Sequence, residues 1–404
     1  MYIMAINAGS SSLKWQIYDM PSETRIAKGL IDRLGKEDAI FKAEYDNGKT
    51  FKCQEPITTK EKAATLILTR LKSLKIVQRL EDIKGVGHRV VSGGEVFKKS
   101  TVITAEVLLQ IRNLSELAPL HNNIEAYYAS VFAQLLPHAT QVAVFDTSFF
   151  TSLQPVNYLY PIETKYYSKY GVRKYGAHGT SHRYVASRTA ELLQRPLADL
   201  NLITLHLGSG ASISAIAHGK PVDTSMGFTP LAGIMMGTRS GDIDPSIMPY
   251  IMEKEHLHDI SDMITILNKK SGLLGVSGVS NDKRDIDEAA AQGNQQAQLA
   301  QEMFVNRIVK YVGSYLALLE AKPDALVFTA GVGENDQPVR QAVCEQLQHL
   351  GVKIDPQKNQ VKGQEAEIST SDSPIKVFVV PTNEELMIAR DTYQLTEPLF
   401  KTEK

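Results

Sequence analysis

Two stretches of this 404-residue chain share one grammar. Residues 1–20 read MYIMAINAGSSSLKWQIYDM, and residues 201–220 read NLITLHLGSGASISAIAHGK. Each is an apolar strand, a Gly/Ser turn and a second strand. Apolar alternation around a short Gly-containing turn marks a β-hairpin. Gly9 and Gly208 stand 199 residues apart, about half the chain. Two matching hairpins, one per half, predict a duplicated fold with a cleft between the halves. A single core stops growing at roughly 250–300 residues, so two domains are expected on length alone. The turns also suit phosphate: Gly lets the backbone approach, Ser10 to Ser12 offer hydroxyl donors, and Lys14 adds a point charge. Each hairpin taken alone reads first as a plain turn.

Other segments fill in an α/β protein. Helical spacing covers 60–80, 105–117, 123–135 and 180–194. Strand patterns cover 83–91, 140–146 and 201–206. The Gln-rich stretch 292–301 reads as a solvated helix face. Residues 325–335 (ALVFTAGVGEN) read as a buried strand ending in a Gly-rich turn that holds Gly331, Gly333, Glu334 and Asn335. No Walker A loop and no G-x-G-x-x-G fingerprint occurs.

Lys+Arg total 44 and Asp+Glu 45, which gives no electrostatic case for nucleic acid or an anionic membrane surface. No apolar run reaches the ~20 residues of a membrane span. The two cysteines, Cys53 and Cys344, lie far apart with no metal-binding spacing. The start lacks the basic region of a secretory signal, so a cytoplasmic protein is expected.

Charge is concentrated locally. GHRVVSGGE (87–95) holds His88 and Arg89, YGAHGTSH (175–182) holds His178, and MGTRSGDIDPS (236–246) holds Arg239. All three lie where strands give way to Gly-containing loops, which carry sites disproportionately. With Lys14, they suit a ligand of dense negative charge.

At this point the sequence resembles the acetate kinase family. The resemblance is carried by NAGSSSLK (7–14), GHRVVSGGE (87–95), APLHN (118–122), FDTSF (145–149), YGAHGTSHRYV (175–185), HLGSGAS (206–212), DTSMGFTPL (223–231), MMGTRSGDIDP (235–245), AGVGEN (330–335) and PTNEEL (381–386), in family order across nearly the whole chain. It departs from the family's usual residues at Trp15, Ser92, Ser209 and Ala232, and where NIE follows APLHN.

The resemblance implies a duplicated actin-like (ribonuclease H-like) ATPase core in two domains, with an ATP cleft between them. The N-terminal domain would cover 1–149. The C-terminal, nucleotide-binding domain would cover 150–383, and a last helix (384–404) would pack back on the first. It implies reversible, direct in-line phosphoryl transfer from ATP to acetate, giving ADP and acetyl phosphate, in a homodimer. Mg²⁺ would be required, with Mn²⁺ as a substitute. Asn7 and Glu384 would serve the metal. Ser10, Ser12 and Lys14 would face phosphates. His206, Leu207, Gly208, Ser209, Gly210, Asp282, Lys283, Arg284, Gly331, Val332, Gly333, Glu334 and Asn335 would form the rest of the ATP site. Arg89, Val91, Leu120, His121 and Pro230 would bind the carboxylate substrate, with Ala177 also at its acyl group. Asp146, His178 and Arg239 would be catalytic.

A carboxylate substrate of pKa near ~4.3 is ionised at neutral pH and needs no general base. Asp146 is therefore expected to orient Arg or hydrated Mg²⁺. Propionate or another short-chain carboxylate is the closest rival substrate. A nucleotide-gated module of the same superfamily has no need of the Arg89, His178 and Arg239 set. A sugar kinase would need a polar sugar-binding set, which the sequence does not offer.

Overall fold

The computed structural model describes residues 1–118 and 121–401. The chain forms two compact units, Met1–Thr151 with Asn383–Lys404, and Ser152–Thr382.

The first unit carries β1 (Tyr2–Ala8), β2 (Ser12–Asp19), β3 (Thr24–Asp32), β4 (Ile40–Tyr45), β5 (Lys49–Gln54), β6 (Ile83–Val90), β7 (Thr101–Val102) and β8 (Thr140–Phe145). Among the described residues they form one sheet in the order β5-β4-β3-β2-β1-β6-β8-β7. Strands β1 to β5 pair antiparallel, whereas β1, β6 and β8 run parallel. The pattern follows from the sequence. β1 reads as a near-continuous apolar run, as a strand covered on both faces must. β2 alternates, with Leu13, Trp15 and Ile17 buried and Lys14 exposed.

The helix Lys60–Ser73 is capped by Thr59, whose hydroxyl accepts the Lys62 N–H. It buries Ile67, Leu68 and Leu71 in the core that also holds Trp15 and Phe41. Each such aliphatic contributes roughly 1.5–3 kcal/mol. The C-terminal helix Glu384–Lys401 packs across β6, β1 and β8. That approach requires Gly87: a Cβ there would sit 2.2 Å from Thr392 Oγ1 and 2.5 Å from Ile388 Cγ2.

The second unit carries β9 (Asn201–Leu207), β10 (Ala211–Ala217), β11 (Lys220–Thr224), β12 (Ala325–Thr329), β13 (Ala366–Glu367) and β14 (Lys376–Val379), ordered β11-β10-β9-β12-β14-β13. β9 pairs antiparallel with β10 and parallel with β12, which pairs parallel with β14. The run β11-β10-β9-β12-β14 therefore repeats the topology of β3-β2-β1-β6-β8. The two similar hairpins are the matching starts of a duplicated α/β fold. Its core includes Ile203, Leu205, Leu207 and Phe328.

One segment differs from the sequence reading. Residues Ala330–Asn335 are a short helix, not a turn; the chain enters it through Ala330 at φ +63°. The Gln-rich stretch opens the helix Gln295–Leu318, capped by Asn294, and buries Ala297 and Ala300 while its glutamines stay outside. Among the described residues no helix is long and apolar enough to cross a membrane.

Candidate active site

In the first unit the charged candidates gather at the carboxyl ends of the parallel strands, the usual place for a ligand in an α/β sheet. Asn7 lies near the end of β1, Arg89 near the end of β6, and Asp146 directly after β8. Asp146 is fully buried. Its Oδ2 accepts from Arg89 Nε at 3.0 Å and from Nη2 at 2.6 Å, while Arg89 Nη1 donates to Asn7 Oδ1 at 3.4 Å. One edge of the guanidinium is thus committed to Asp146. Burial works against the charge of Arg89, but Asp146, Glu384 and Glu125 outweigh it and hold its pKa above the ordinary value.

Lys14 is the register partner of Asn7 across β1 and β2, so the two side chains share a face. Ser10 belongs to the connecting turn and Ser12 opens β2; the turn is closed by Gly9 N–H donating to Ser12 O at 2.8 Å. Glu384 opens the C-terminal helix, half-buried, and its Oε1 is shielded with no hydrogen-bond partner. Burial pushes its carboxyl up to about 7; Arg89 opposes the rise, and Asp146 and Glu385 add to it. Val91 is buried, and its N–H donates to Glu125. His121 sits at the N-cap of the helix Asn122–Leu135. Leu120 lies outside the described residues.

In the second unit, Gly208, Ser209, Asp282, Lys283, Arg284, Gly331, Val332 and Asn335 line one cavity of about 780 Å³. That volume lies within the usual ~300–1,000 Å³ of small-molecule sites. Asn281, Asp336 and Lys362, which the sequence did not single out, line it too. Asp282 caps the helix Lys283–Ala291, and Lys283 is ion-paired with Asp287 and Asp336. Other expected nucleotide residues do not line this cavity. Leu207 is in the core. The Gly333 carbonyl accepts from Arg340, and Glu334 Oε1 accepts the Thr382 N–H at 3.0 Å. His206 Nδ1 lies 2.8 Å from Ser181 Oγ.

Gly210 links the cavity to the expected catalytic pair. A Cβ on Gly210 would lie 3.3 Å from His178 Nε2 and 3.4 Å from Arg239 Nη1. His178 occupies the left-handed region at φ +62°, a strained conformation for a non-glycine residue at the start of the helix Gly179–Leu192. Arg239 Nη1 donates to Pro230 O at 3.3 Å. Arg239 is half-buried, and no carboxylate pairs with it among the described residues. Burial pulls its pKa below the ordinary value.

A sequence model of the Acetokinase family matches residues 2–390. The chain belongs to the acetokinase family. Acetate kinase 1 of Latilactobacillus sakei is 59% identical over 393 residues, which is 97% of this chain and 99% of that protein. The crystal structure of Porphyromonas gingivalis acetate kinase superposes with a TM-score of 0.92 at 42% identity, covering 98% of this chain and 99% of that one. A propionate kinase from Francisella tularensis superposes at 0.91 with 39% identity, covering 97% of this chain and 99% of that one.

Within this acetokinase chain, some residues of the site gave no sequence signal. Glu125 lies inside a helical pattern and reads there as a solvated charge. In the fold it is 1% exposed, its Oε2 accepts the Val91 N–H at 2.9 Å, and its Oε1 has no partner. Burial pushes its carboxyl up to about 8; Arg89 and the Val91 N–H oppose this, and Asp146 adds to it. The folded chain therefore holds this proton more tightly than the unfolded chain. The resulting stabilisation is complete below the unfolded value and is lost as pH rises through about 8. Glu125→Gln keeps the shape and removes the titration. Its Tm relative to the parent is expected to improve between about pH 5 and about pH 9. A difference that stays flat across that range contradicts a protonated Glu125.

Proposed function

We propose that this chain transfers the γ-phosphoryl group of ATP to acetate, reversibly, giving ADP and acetyl phosphate. An acetate oxygen attacks the γ-phosphorus in line, the bond to the β–γ bridging oxygen breaks, and ADP leaves. The observation that carries this reading is the turn Gly208–Gly210. Gly208 and Ser209 line the cavity of about 780 Å³, and Gly210 adjoins His178 Nε2 and the guanidinium of Arg239. A cation without a carboxylate partner, next to a nucleotide-sized cavity, suits the charge that spreads over a phosphoryl group in transfer. Acetate already lacks its proton, so no base is needed. Asp146 instead holds one edge of Arg89, and the remaining Nη1/Nη2 edge can grip a carboxylate by its two oxygens. Ser10, Ser12 and Lys14 provide phosphate donors. The reading includes a cytoplasmic homodimer.

Magnesium belongs to the proposal, and the residues fit it. Glu384 offers a shielded, unpartnered carboxylate oxygen and Asn7 an amide oxygen. Magnesium keeps several waters and uses one or two carboxylates with substrate phosphates. Among the described residues no cluster of three or more His, Cys, Asp or Glu suggests a protein-only cage. Asn7 and Glu384 would hold the ion, with Mn²⁺ as a substitute of similar donor preference. Bound there, it supplies positive charge to the phosphate oxygens. Glu384→Ala is expected to raise the Mg²⁺ needed for half-maximal activity by roughly tenfold or more. An unchanged Mg²⁺ titration moves the role to Glu385 or elsewhere.

Hydroxylamine trapping of the acyl phosphate, across acetate, propionate and butyrate, tests the reading. Acetate is expected to give the highest kcat/KM. The propionate kinase similarity keeps propionate as the rival, because one methylene is worth only ~1–3 kcal/mol of discrimination. Propionate ahead of acetate would favour the rival, and no acyl phosphate from any carboxylate sinks the proposal.

A further inference from the structure

Behind His178 lies a hydrogen-bonded chain that the reaction scheme above does not use. His178 Nδ1 is 2.8 Å from Ser212 Oγ, and the same oxygen is 2.8 Å from His182 Nε2. His182 Nδ1 is 2.7 Å from Thr204 Oγ1. Ser212, His182 and Thr204 are all 0% exposed. His182 follows His178 by one helical turn, and Thr204 and Ser212 stand on the paired strands β9 and β10.

The proton count selects a direction. Burial pulls the pKa of His182 well below its ordinary value, so its ring is neutral and carries one N–H. Ser212 has one proton and sits between two rings. In one direction, Thr204 O–H donates to His182 Nδ1, His182 Nε2–H donates to Ser212, and Ser212 O–H donates to His178 Nδ1. In the other, His178 Nδ1–H donates to Ser212, Ser212 donates to His182 Nε2, and His182 Nδ1–H donates to Thr204. That second pattern leaves the buried Thr204 hydroxyl proton with no acceptor among the described residues, since His182 is its hydrogen-bond partner there. A third pattern turns the Ser212 proton to Ala177 O, but at 3.4 Å this is a weaker acceptor than a ring nitrogen at 2.8 Å.

We propose that Thr204, His182 and Ser212 are positioning residues that fix the ring of His178 with its proton on Nε2, the nitrogen that, like Arg239 Nη1, lies against Gly210. His178 then presents an N–H donor to the phosphoryl group while neutral, because the tautomer is set by the partner of the other nitrogen. The inference deepens the reading of His178 given above and rests on it.

The test has a spectroscopic arm and a kinetic arm. Proton–nitrogen NMR of the whole protein carrying isotope-labelled histidine, with His178 assigned by its loss in His178→Asn, is expected to show the Nε2–H tautomer. An Nδ1–H tautomer overturns the proposal and needs no folded variant. Ser212→Ala is expected to lower kcat on the order of 10²-fold, the scale of a misplaced catalytic group, with KM for ATP and acetate little changed. Thr204→Val is expected to lower kcat less, and Thr204→Ser to restore it. Parent-like kcat in both Ser212→Ala and Thr204→Val overturns the relay. The underlying reading fails separately: His178→Ala with near-normal kcat removes His178 from catalysis, whatever its tautomer.

Discussion

Arg239→Ala is expected to lower kcat by on the order of 10²–10⁵ while the KM for ATP changes little. Two observations set that split. Arg239 does not line the cavity of about 780 Å³ proposed for the nucleotide, so the KM for ATP is expected to depend on it little. Its guanidinium and His178 Nε2 both lie against Gly210, and among the described residues it donates to the Pro230 carbonyl and the Met236 sulfur. A cation held this way is poised for charge that appears only in the transition state, and losing such a contact lowers kcat. Stability separates this role from a structural one. Among the described residues no ion pair is broken in the variant, so its Tm is expected to stay near that of the parent. Near-normal kcat would remove Arg239 from the catalytic set. A loss of activity that tracks a fall in Tm would make it a structural residue.

The hairpins β1–β2 and β9–β10 were legible because one strand of each is almost wholly apolar and the turn residues are Gly and Ser. The strands β3 to β5 were not. TRIAKGLID buries only Ala27 and Ile31 fully, and KTFKCQ in β5 has no fully buried residue. With so little of β3 and β5 in the core, the alternation there is too dilute to stand out, and the successive pairings β2–β3, β3–β4 and β4–β5 hold the strands in place. The helix Ala330–Asn335 was read as a turn because two glycines weigh against a helix. Tertiary context overrides that preference: the segment continues from the buried strand β12, and Gly333 packs against Phe328.

At the site, sequence motifs carry side chains that the fold then sorts. Adjacent letters of HLGSG part company, since strand alternation sends Leu207 into the core while Gly208 and Ser209 face the cavity. AGVGEN divides likewise, with Gly331, Val332 and Asn335 at the cavity and Gly333 and Glu334 bonded within the unit. Arg89 and Asp146 could be found because strands end beside them. Glu125, Thr204 and Ser212 could not. Their positions read as an ordinary helix charge and ordinary strand hydroxyls, and only the partners supplied by other elements give them a role.

Arg89→Ala is expected to act on both function and stability. The KM for acetate should rise and kcat should fall, because in the proposed reading the same charge would hold the nucleophile and orient it. Asp146, fully buried, loses the two N–H donors now at 3.0 and 2.6 Å. Breaking a fully buried pair from one side costs about 3–5 kcal/mol, and Arg89 keeps some exposure, so a smaller fall in Tm is expected. Arg89→Lys restores the charge but not the fork, so it should recover Tm more than it recovers the KM for acetate. The two effects come apart in Arg89→Ala/Asp146→Asn. Neutralising the acid removes the charge that Arg89 faced, so the double variant should regain part of the lost Tm, yet its KM for acetate should stay high. Recovery of the acetate KM in that double variant would mean Arg89 acts only by satisfying Asp146. An unchanged acetate KM in Arg89→Ala would place the carboxylate anchor elsewhere.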